Sequence, residues 1–156
     1  MSVFTSALSG TCVGVDTWHF VSYDQLSQDL LPENKDVGLI FIETSWKASQ
    51  LPYHKQKLAL LLSNQRHFAL EMQDAGYSVR YIFSEKEYGE ALAELCEELG
   101  EITVTKPAEL SLRRSIQPLV EAGQLRVLEH KGWLTTTEDF IKGAGQNAPW
   151  RMDKFY

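Results

Sequence analysis

The stretch that decides the fold is "GLIFIETSWKASQLPYHKQKLALLLSNQRHFALEMQDAGYSVRYIF", residues 38–83. It opens with "GLIFIE" (38–43), an almost wholly apolar run typical of a buried strand, and closes with a second strand-like run, "SVRYIF" (78–83). Between them, about residues 53–75 carry apolar side chains at three- and four-residue intervals, which predicts an amphipathic helix. A strand, a long helix and another strand form a crossover unit, so we expect the two strands to be parallel.

The rest of the chain repeats this alternation. Further strand candidates are "WHFVSY" (18–23), "EITVTK" (101–106) and "QLRVLEH" (124–130), with helical patterns over about 86–99 and 108–122. The sequence therefore predicts an α/β fold, a Rossmann-like doubly wound domain with about five parallel strands and helices on both faces.

Local signals indicate where the helices begin and end. Ser84 followed by Glu87 has the spacing of a capping box for the second helix. A glycine follows each helical pattern, where a left-handed residue ends a helix; these are Gly76, Gly100 and Gly123. Pro118 lies inside the third helical pattern and is expected to kink or split that helix.

Composition excludes several classes of protein. The chain has 156 residues and is 44% hydrophobic, which fits one ordinary domain. Its net charge of −6 argues against a stand-alone nucleic-acid binder, and no apolar run approaches the ~20 residues of a membrane span. Cys12 and Cys96 lie far apart without ligands at metal spacing, so a cytoplasmic location is the default expectation.

The familiar motifs of nucleotide and metal sites are missing from the sequence. It contains neither G-x-G-x-x-G nor G-x-x-x-x-G-K-[ST], and neither H-E-x-x-H nor G-x-S-x-G. The four histidines lie on different elements, and His19 and His130 are interpreted as core or surface residues rather than ligands. We predict no metal site and no catalytic residues in this chain.

Polar side chains follow the first two predicted strands. "YDQLS" (23–27) follows the first, and "ETSWKASQLPYHK" (43–55) follows the second and opens the long helix. In a doubly wound sheet, ligands bind at the carboxyl ends of the strands, which favours a binding site here. The alternative is that Asp24 and Ser27 only form a turn and that Glu43 only caps.

The long helix carries an apolar stripe with polar residues beside it. The stripe is predicted to face the core; it comprises Leu58, Leu61, Leu62, Phe68, Met72 and Ala75. His54, Lys57 and Asn64 share a face along one edge of the stripe. They indicate either a pocket or long side chains that extend to water.

The run "YHKQKLALLLSNQRHFALEMQDAGYSVRY" (53–81) resembles the signature of the photolyase-related family, prokaryotic relatives of DNA photolyases and cryptochromes. The similarity continues in order through "DQLS" (24–27), "KPAELSLRRSI" (106–116), "WLTTTEDF" (133–140) and "RMDKFY" (151–156). It covers about residues 17–156. Tyr23 stands where other family members often have glycine, so its ring is expected either to stack on a bound ring or to occupy its space.

The resemblance implies a larger flavoprotein. Family members join an N-terminal α/β domain to a helical domain that holds FAD, a four-cysteine iron–sulfur cluster and the surface that binds damaged DNA. They repair UV photoproducts, notably the (6-4) type, by light-driven electron transfer. The α/β domain resembles the antenna part, where a ribityl-lumazine sits. Matching motif positions implies that its contacts here are Asp24, Gln25, Leu26, Glu43, Tyr53, His54 and Lys57.

The expected organisation has three parts. Residues 1–16 form a flexible leader, 17–132 the Rossmann-like antenna-type domain, and 133–156 the start of a linker to a helical FAD domain beyond Tyr156. By this interpretation the chain does not repair DNA alone, contacts damaged DNA only through the helical domain, and has no membrane partner. The alternative is a stand-alone Rossmann-like regulatory module that binds a nucleotide or a partner protein.

Overall fold

Five parallel strands form one sheet in the computed structural model, which describes residues 3–8 and 14–150. In chain order the strands are β1 (Thr17–Phe20), β2 (Val37–Thr44), β3 (Val79–Ser84), β4 (Ile102–Thr105) and β5 (Leu125–Leu128). Their spatial order is β3-β2-β1-β4-β5, and every neighbouring pair is parallel. The order reverses between β1 and β4, which is the switch point of a doubly wound sheet.

Helices cover both faces of the sheet. The helices that the structure describes are α1 (Val3–Ala7), α2 (Ser45–Ser49), α3 (Lys55–Asp74), α4 (Tyr88–Leu99), α5 (Leu110–Glu121) and α6 (Thr137–Ala144), with a short 3-10 turn at Gln28–Leu30. Phe68 and Met72 of α3 pack on one face, and Leu92 of α4 and Ile116 of α5 pack on the other. The predicted α/β Rossmann-like fold is confirmed.

β2 supplies the centre of both layers of core. Successive side chains of a strand point to opposite faces, so Ile40 and Ile42 join the layer under α4 and α5, while Leu39 and Phe41 join the layer under α3. All four have no exposed surface. The near-continuous apolar run of this strand is therefore explained by helices on both of its sides.

Three of the boundary predictions are confirmed, and the predicted capping box is wrong. Gly76, Gly100 and Gly123 have φ angles of 94°, 79° and 72°, as expected after a helix. Ser84 and Glu87 do not form a capping box: α4 begins at Tyr88, the Glu87 side chain makes no cap, and Ser84 Oγ accepts from the Lys86 amide at 3.0 Å. α5 continues through Pro118, so the proline does not split the helix, and a kink there stays a prediction.

The apolar stripe of α3 divides into two parts. Phe68 and Met72 are buried in the core as predicted, whereas Leu58, Leu61 and Leu62 are half-buried and line a cavity. The expectation of core packing is thus wrong for the first two turns of the helix. The reason is that α3 extends beyond the carboxyl edge of the sheet, so its first turns have no strand beneath them.

The two ends of the chain are described only in part. Within the predicted leader, Val3–Ala7 form α1, and Gln73 Nε2 of α3 donates to the Ala7 carbonyl at 3.1 Å. The "RMDKFY" motif lies outside the described residues, and the three domain boundaries stay predictions. Among the helices that the structure describes, none is long and apolar enough to cross a membrane.

His19 is a core residue, in line with its interpretation from sequence. It is 1% exposed, and its Nδ1 lies 2.9 Å from Thr103 Oγ1. Because Thr103 donates its own hydroxyl to the Trp18 carbonyl at 3.1 Å, its oxygen accepts from the imidazole. Burial lowers the pKa of His19 from 6.5 to about 4, so the ring is neutral in the folded protein at neutral pH.

Replacing Gly89 with alanine should destabilise the domain. A Cβ there would overlap the Ser115 backbone carbonyl of α5 and lie 2.8 Å from Ser115 Oγ. Alanine normally favours a helix by up to about 1 kcal/mol over glycine, but overpacking against backbone costs about 1–3 kcal/mol. Urea unfolding should therefore show a net loss for Gly89→Ala. The control Glu90→Ala changes an exposed neighbour and should alter the free energy of unfolding by less than about 0.5 kcal/mol. A Gly89→Ala variant as stable as the unchanged protein, or more stable, would contradict the packing described.

Stability should fall as the pH drops from 6.5 towards 4, in part because of His19. In this window the unfolded imidazole binds a proton that the folded one does not, so lower pH favours unfolding. The contribution is on the order of 3 kcal/mol, from the cited pKa values. Urea titrations across this range should show a shallower pH dependence for His19→Gln than for the unchanged protein. His67→Gln, at an exposed position of α3, is the control, and a slope unaltered by His19→Gln would contradict the assignment.

Candidate functional site

A cavity of about 680 Å³ lies at the carboxyl edge of the sheet. The end of β2, α2, the first turns of α3 and the end of β3 contribute to its lining. Its lining consists of Tyr23, Glu43, Thr44, Ser45, Lys47, Ala48, Tyr53, Lys57, Leu58, Leu61, Leu62, Gln65, Phe83, Ser84, Glu85, Tyr88 and Glu109. Cavities of this size typically hold small organic ligands or cofactors.

One wall of the cavity is apolar. Leu58, Leu61 and Leu62 of α3 supply its aliphatic part, and Phe83 and Tyr88 supply aromatic rings. Phe83 is 51% exposed, although it is a large apolar side chain at the end of a strand. A flat ring system could bury its face against this wall.

The carboxylate of Glu43, near the end of β2, is held by three hydrogen-bond donors. Its carboxylate accepts hydrogen bonds from Arg66 Nε at 2.8 Å, Arg66 Nη2 at 2.6 Å and Tyr81 Oη at 2.7 Å. Burial, and then the bond to Glu43, raise the pKa of Tyr81, so its hydroxyl remains a donor. Three donors fix the orientation of the carboxylate, and Glu43 Oε1 has one of them, which leaves it a further lone pair.

Aromatic rings hold the arginine of this group. The guanidinium of Arg66 lies 5.4 Å from the ring centroid of Phe4 and 5.7 Å from that of Phe83. Phe4 of α1 also packs edge-on against Tyr81, with centroids 4.8 Å apart. Cation–π contacts on both rings keep Arg66 directed at Glu43.

A second polar group, the Glu109 cluster, consists of Tyr23, Lys47, Glu109 and Ser111. The Glu109 carboxylate accepts from the hydroxyls of Tyr23 and Ser111 and from the ammonium of Lys47. Burial acts to raise the pKa of Glu109, but these three donors outweigh it and the pKa is lowered. Burial, together with the bond to Glu109, raises the pKa of Tyr23.

The ring of Tyr23 forms part of the same wall. It stacks on Tyr88 with centroids 6.3 Å apart and an angle of 23° between the planes. Lys47 Nζ lies 6.0 Å from the Tyr23 centroid. Tyr23 therefore lines the cavity with its ring and joins the Glu109 cluster through its hydroxyl.

Two lysines carry positive charge at the cavity. Lys47 is neutralised by Glu109, whereas Lys57 makes no ion pair with any acidic residue in the part of the chain that the structure describes. Lys57 Nζ instead lies 5.4 Å from the ring centroid of Tyr53. Lys57 is thus available as a donor to a ligand carbonyl or anion.

The structure brings three of the seven predicted site residues together at this cavity, namely Glu43, Tyr53 and Lys57. Two others are elsewhere in the loop after β1: Asp24 accepts from Ser22 Oγ at 2.6 Å, and buried Gln25 donates to the Lys106 carbonyl at 2.9 Å. Whether any of the seven binds a chromophore stays a prediction.

The remaining two predicted residues also lie outside the cavity lining. Leu26 packs against the core layer under α3. His54 is the N-cap of α3, and its Nδ1 accepts from the Gln56 amide at 3.3 Å. Both positions have a structural explanation that requires no ligand.

Lys47 and Glu109 are among the lining residues that the sequence analysis missed. Lys47 lies inside the quoted segment 43–55, but a short helix there, α2, was not anticipated. Glu109 follows β4, so the rule that placed the site at strand carboxyl ends could have included it.

A smaller cavity of about 410 Å³ lies beside α6. Lys106, Arg113, His130 and Trp133 are among its lining residues. Within residues 3–8 and 14–150, no group of three or more His, Cys, Asp or Glu side chains could hold a metal ion.

Comparison with known proteins identifies the family. The family model described as "Deoxyribodipyrimidine photo-lyase-related protein" matches residues 19–156. The chain is also similar to a protein named (6-4) photolyase from Agrobacterium fabrum, with 27% identity over 146 residues. That similarity covers 85% of this chain and 29% of the relative, so the chain spans less than a third of the relative's length. Since the family model covers most of the sequence, this chain belongs to the deoxyribodipyrimidine photo-lyase-related protein family.

Proposed function

We propose that this chain is the antenna-chromophore domain of a photolyase-like flavoprotein, and that its cavity binds a ribityl-lumazine. The observation that carries the proposal is the 680 Å³ cavity, with an apolar wall and fixed polar groups at the carboxyl edge of the sheet. A planar heterocycle with carbonyls and an imide N–H needs both features.

The side chains supply suitable partners for such a ring. The further lone pair of Glu43 Oε1 can accept from the imide N–H. Lys57 and the hydroxyl of Ser45 can donate to ring carbonyls. The ring face would lie against Leu58 and Leu61 of α3. In this proposal Glu43 binds the lumazine ring, which is the role that its position in the family motif implies.

An antenna requires binding and orientation of a chromophore but no catalytic side chain. Both carboxylates already have their donors, Glu43 from Arg66 and Tyr81, and Glu109 from Lys47, Tyr23 and Ser111. Groups held in this way are suited to fixing a ligand rather than to transferring protons. Excitation energy would pass from the bound lumazine to FAD in the helical domain.

The activity of the whole protein is part of the same proposal. The relative is named (6-4) photolyase, which supports light-driven repair of damaged DNA by a longer protein that contains this domain. We assign FAD, the iron–sulfur cluster and the contact with damaged DNA to its helical domain, because the chain spans 29% of that relative.

Titration with ribityl-lumazine tests the proposal. Binding should shift the absorption band of the lumazine, raise its fluorescence anisotropy and raise the melting temperature of the protein. A ligand at 100 times its Kd stabilises a protein by about 2.7 kcal/mol. The nucleotide-binding module is the competing account, so ATP is titrated in parallel. Stabilisation by ATP with no response to the lumazine would contradict the antenna role.

Filling the cavity should abolish lumazine binding. Leu61 is half-buried and lines the cavity, whereas the adjacent Leu60 is 61% exposed and does not line it. Leu61→Trp should therefore weaken binding by at least about tenfold, equivalent to 1.4 kcal/mol, and Leu60→Trp should leave it unchanged. Circular dichroism establishes that both variants fold. Equal affinities of the two variants would place the lumazine elsewhere.

Replacing Glu43 with glutamine should weaken lumazine binding by about tenfold, because one carboxylate oxygen becomes an amide that donates. The variant should also lose stability, since Arg66 Nε and Nη2 and the Tyr81 hydroxyl all bond to this carboxylate. Glu71→Gln, an exposed change on α3, is the matched control. Unchanged affinity in Glu43→Gln would remove Glu43 from the site.

A further inference from the structure

The smaller cavity beside α6 is separate from the one to which the antenna role is assigned. Its volume is about 410 Å³, and its lining shares no residue with that of the 680 Å³ cavity. The loop after β4 contributes Lys106, the first turn of α5 contributes Arg113, and the segment before α6 contributes Trp133. A cavity of this volume is large enough for a small organic ligand.

Positive charge predominates in this lining, although the whole chain has a net charge of −6. The lining carries two cations, Lys106 and Arg113, and one carboxylate, Glu129. Arg113 forms no ion pair with an acidic side chain among the residues that the structure describes. Lys106 Nζ lies 3.8 Å from Glu129 Oε2, which is longer than the about 2.7–2.9 Å of a charge-assisted hydrogen bond. Both cations can therefore donate to an anionic group of a ligand.

Two threonines add neutral donors to the same lining. Thr135 and Thr137 line the cavity, and neither hydroxyl has a hydrogen-bond partner within the described part of the chain. Thr136, between them, is already used: its hydroxyl and Asp139 form the capping box of α6. An anion in this cavity would thus be held by side chains and not by the start of the helix.

An aromatic ring is exposed at the same cavity. Trp133 is 64% exposed, although it is a large apolar side chain. It packs edge-on with His130, with ring centroids 5.8 Å apart and an angle of 62° between the planes. The Gly132 amide donates to His130 Nδ1 at 3.0 Å, which fixes the imidazole beside the indole. The exposed surface of the indole is available for stacking with a planar heterocycle.

We propose that the cavity beside α6 binds a mononucleotide, with the phosphate at Arg113 and Lys106 and the base on Trp133. The planar guanidinium of arginine matches a pair of phosphate oxygens, and every base can stack on an aromatic side chain. A phosphate held by side chains requires none of the glycine-rich motifs that the sequence lacks. A free nucleotide fits better than a nucleic acid, because the acidic chain repels a polyanion. The site adds to the antenna role and does not depend on it.

Calorimetric titration of the full chain with AMP, adenosine and inorganic phosphate tests this site. AMP should bind at least about tenfold more tightly than either of the others, because only AMP carries both a phosphate and a base. Arg113→Gln should weaken AMP binding by at least about tenfold and leave the affinity for adenosine unchanged. The matched control is Arg114→Gln, at the adjacent exposed position of α5 outside the cavity lining, and it should retain the full affinity for AMP.

Trp133→Ala tests the contact with the base. It should weaken AMP and adenosine by the same factor, about fivefold or more. Leu134→Ala, at the adjacent exposed position outside the lining, should leave both affinities unchanged.

Three results would overturn the nucleotide site: AMP does not bind, phosphate alone binds as tightly as AMP, or the Arg113 and Arg114 variants have equal affinities for AMP. Displacement of AMP by ribityl-lumazine would overturn it as well, because the nucleotide would then lie in the 680 Å³ cavity. A lumazine that fails to bind would remove only the antenna role.

Discussion

Strand β2 is buried on both faces of the sheet, and this double burial determines how the rest of the chain is arranged. Two of its side chains are completely buried on each face: Leu39 and Phe41 on one, Ile40 and Ile42 on the other. A strand buried on both faces needs a helix layer on each side. The connections to its neighbours must then be crossovers, which makes the strands parallel. Parallel strands end at one edge, so the polar residues that follow β1, β2, β3 and β4 meet there.

The carboxyl edge of the sheet formed in this way carries both apolar side chains and carboxylates. α3 begins beyond the last residues of the strands, and its first leucines therefore face a cavity instead of the core. Glu43 and Glu109 meet the same cavity, each with cationic and hydroxyl donors from neighbouring elements. The cavity therefore combines apolar side chains with two fixed carboxylates.

The sequence predicted the architecture well because the signals for it are local. The apolar run of β2, the period of α3 and the glycines after three helices each act within a few residues, and the structure agrees with them. The errors arise where the surroundings of a residue in the fold, or a local hydrogen bond other than the expected one, decide. Ser84 bonds to the Lys86 amide instead of capping α4, and Leu58 has no strand beneath it.

The site was predictable only in part, for the same reason. Matching the family's motif positions gave Glu43, Tyr53 and Lys57, and the rule for strand carboxyl ends agrees with the place of Glu43. Spacing alone could not reveal that Gln25 bonds to the backbone of the β4 loop, or that His54 caps its own helix. Nor could it pair Lys47 with Glu109, which lie 62 positions apart in the chain.

The most direct measurement of the central claim is amide chemical-shift mapping of the isotopically labelled chain during addition of ribityl-lumazine. The account predicts saturable shifts at the cavity, in Thr44–Ala48 and in the first three turns of α3, with little change in β5. Shifts confined to the residues around the smaller cavity beside α6, or no saturable shifts at all, would contradict a chromophore site at the carboxyl edge of the sheet.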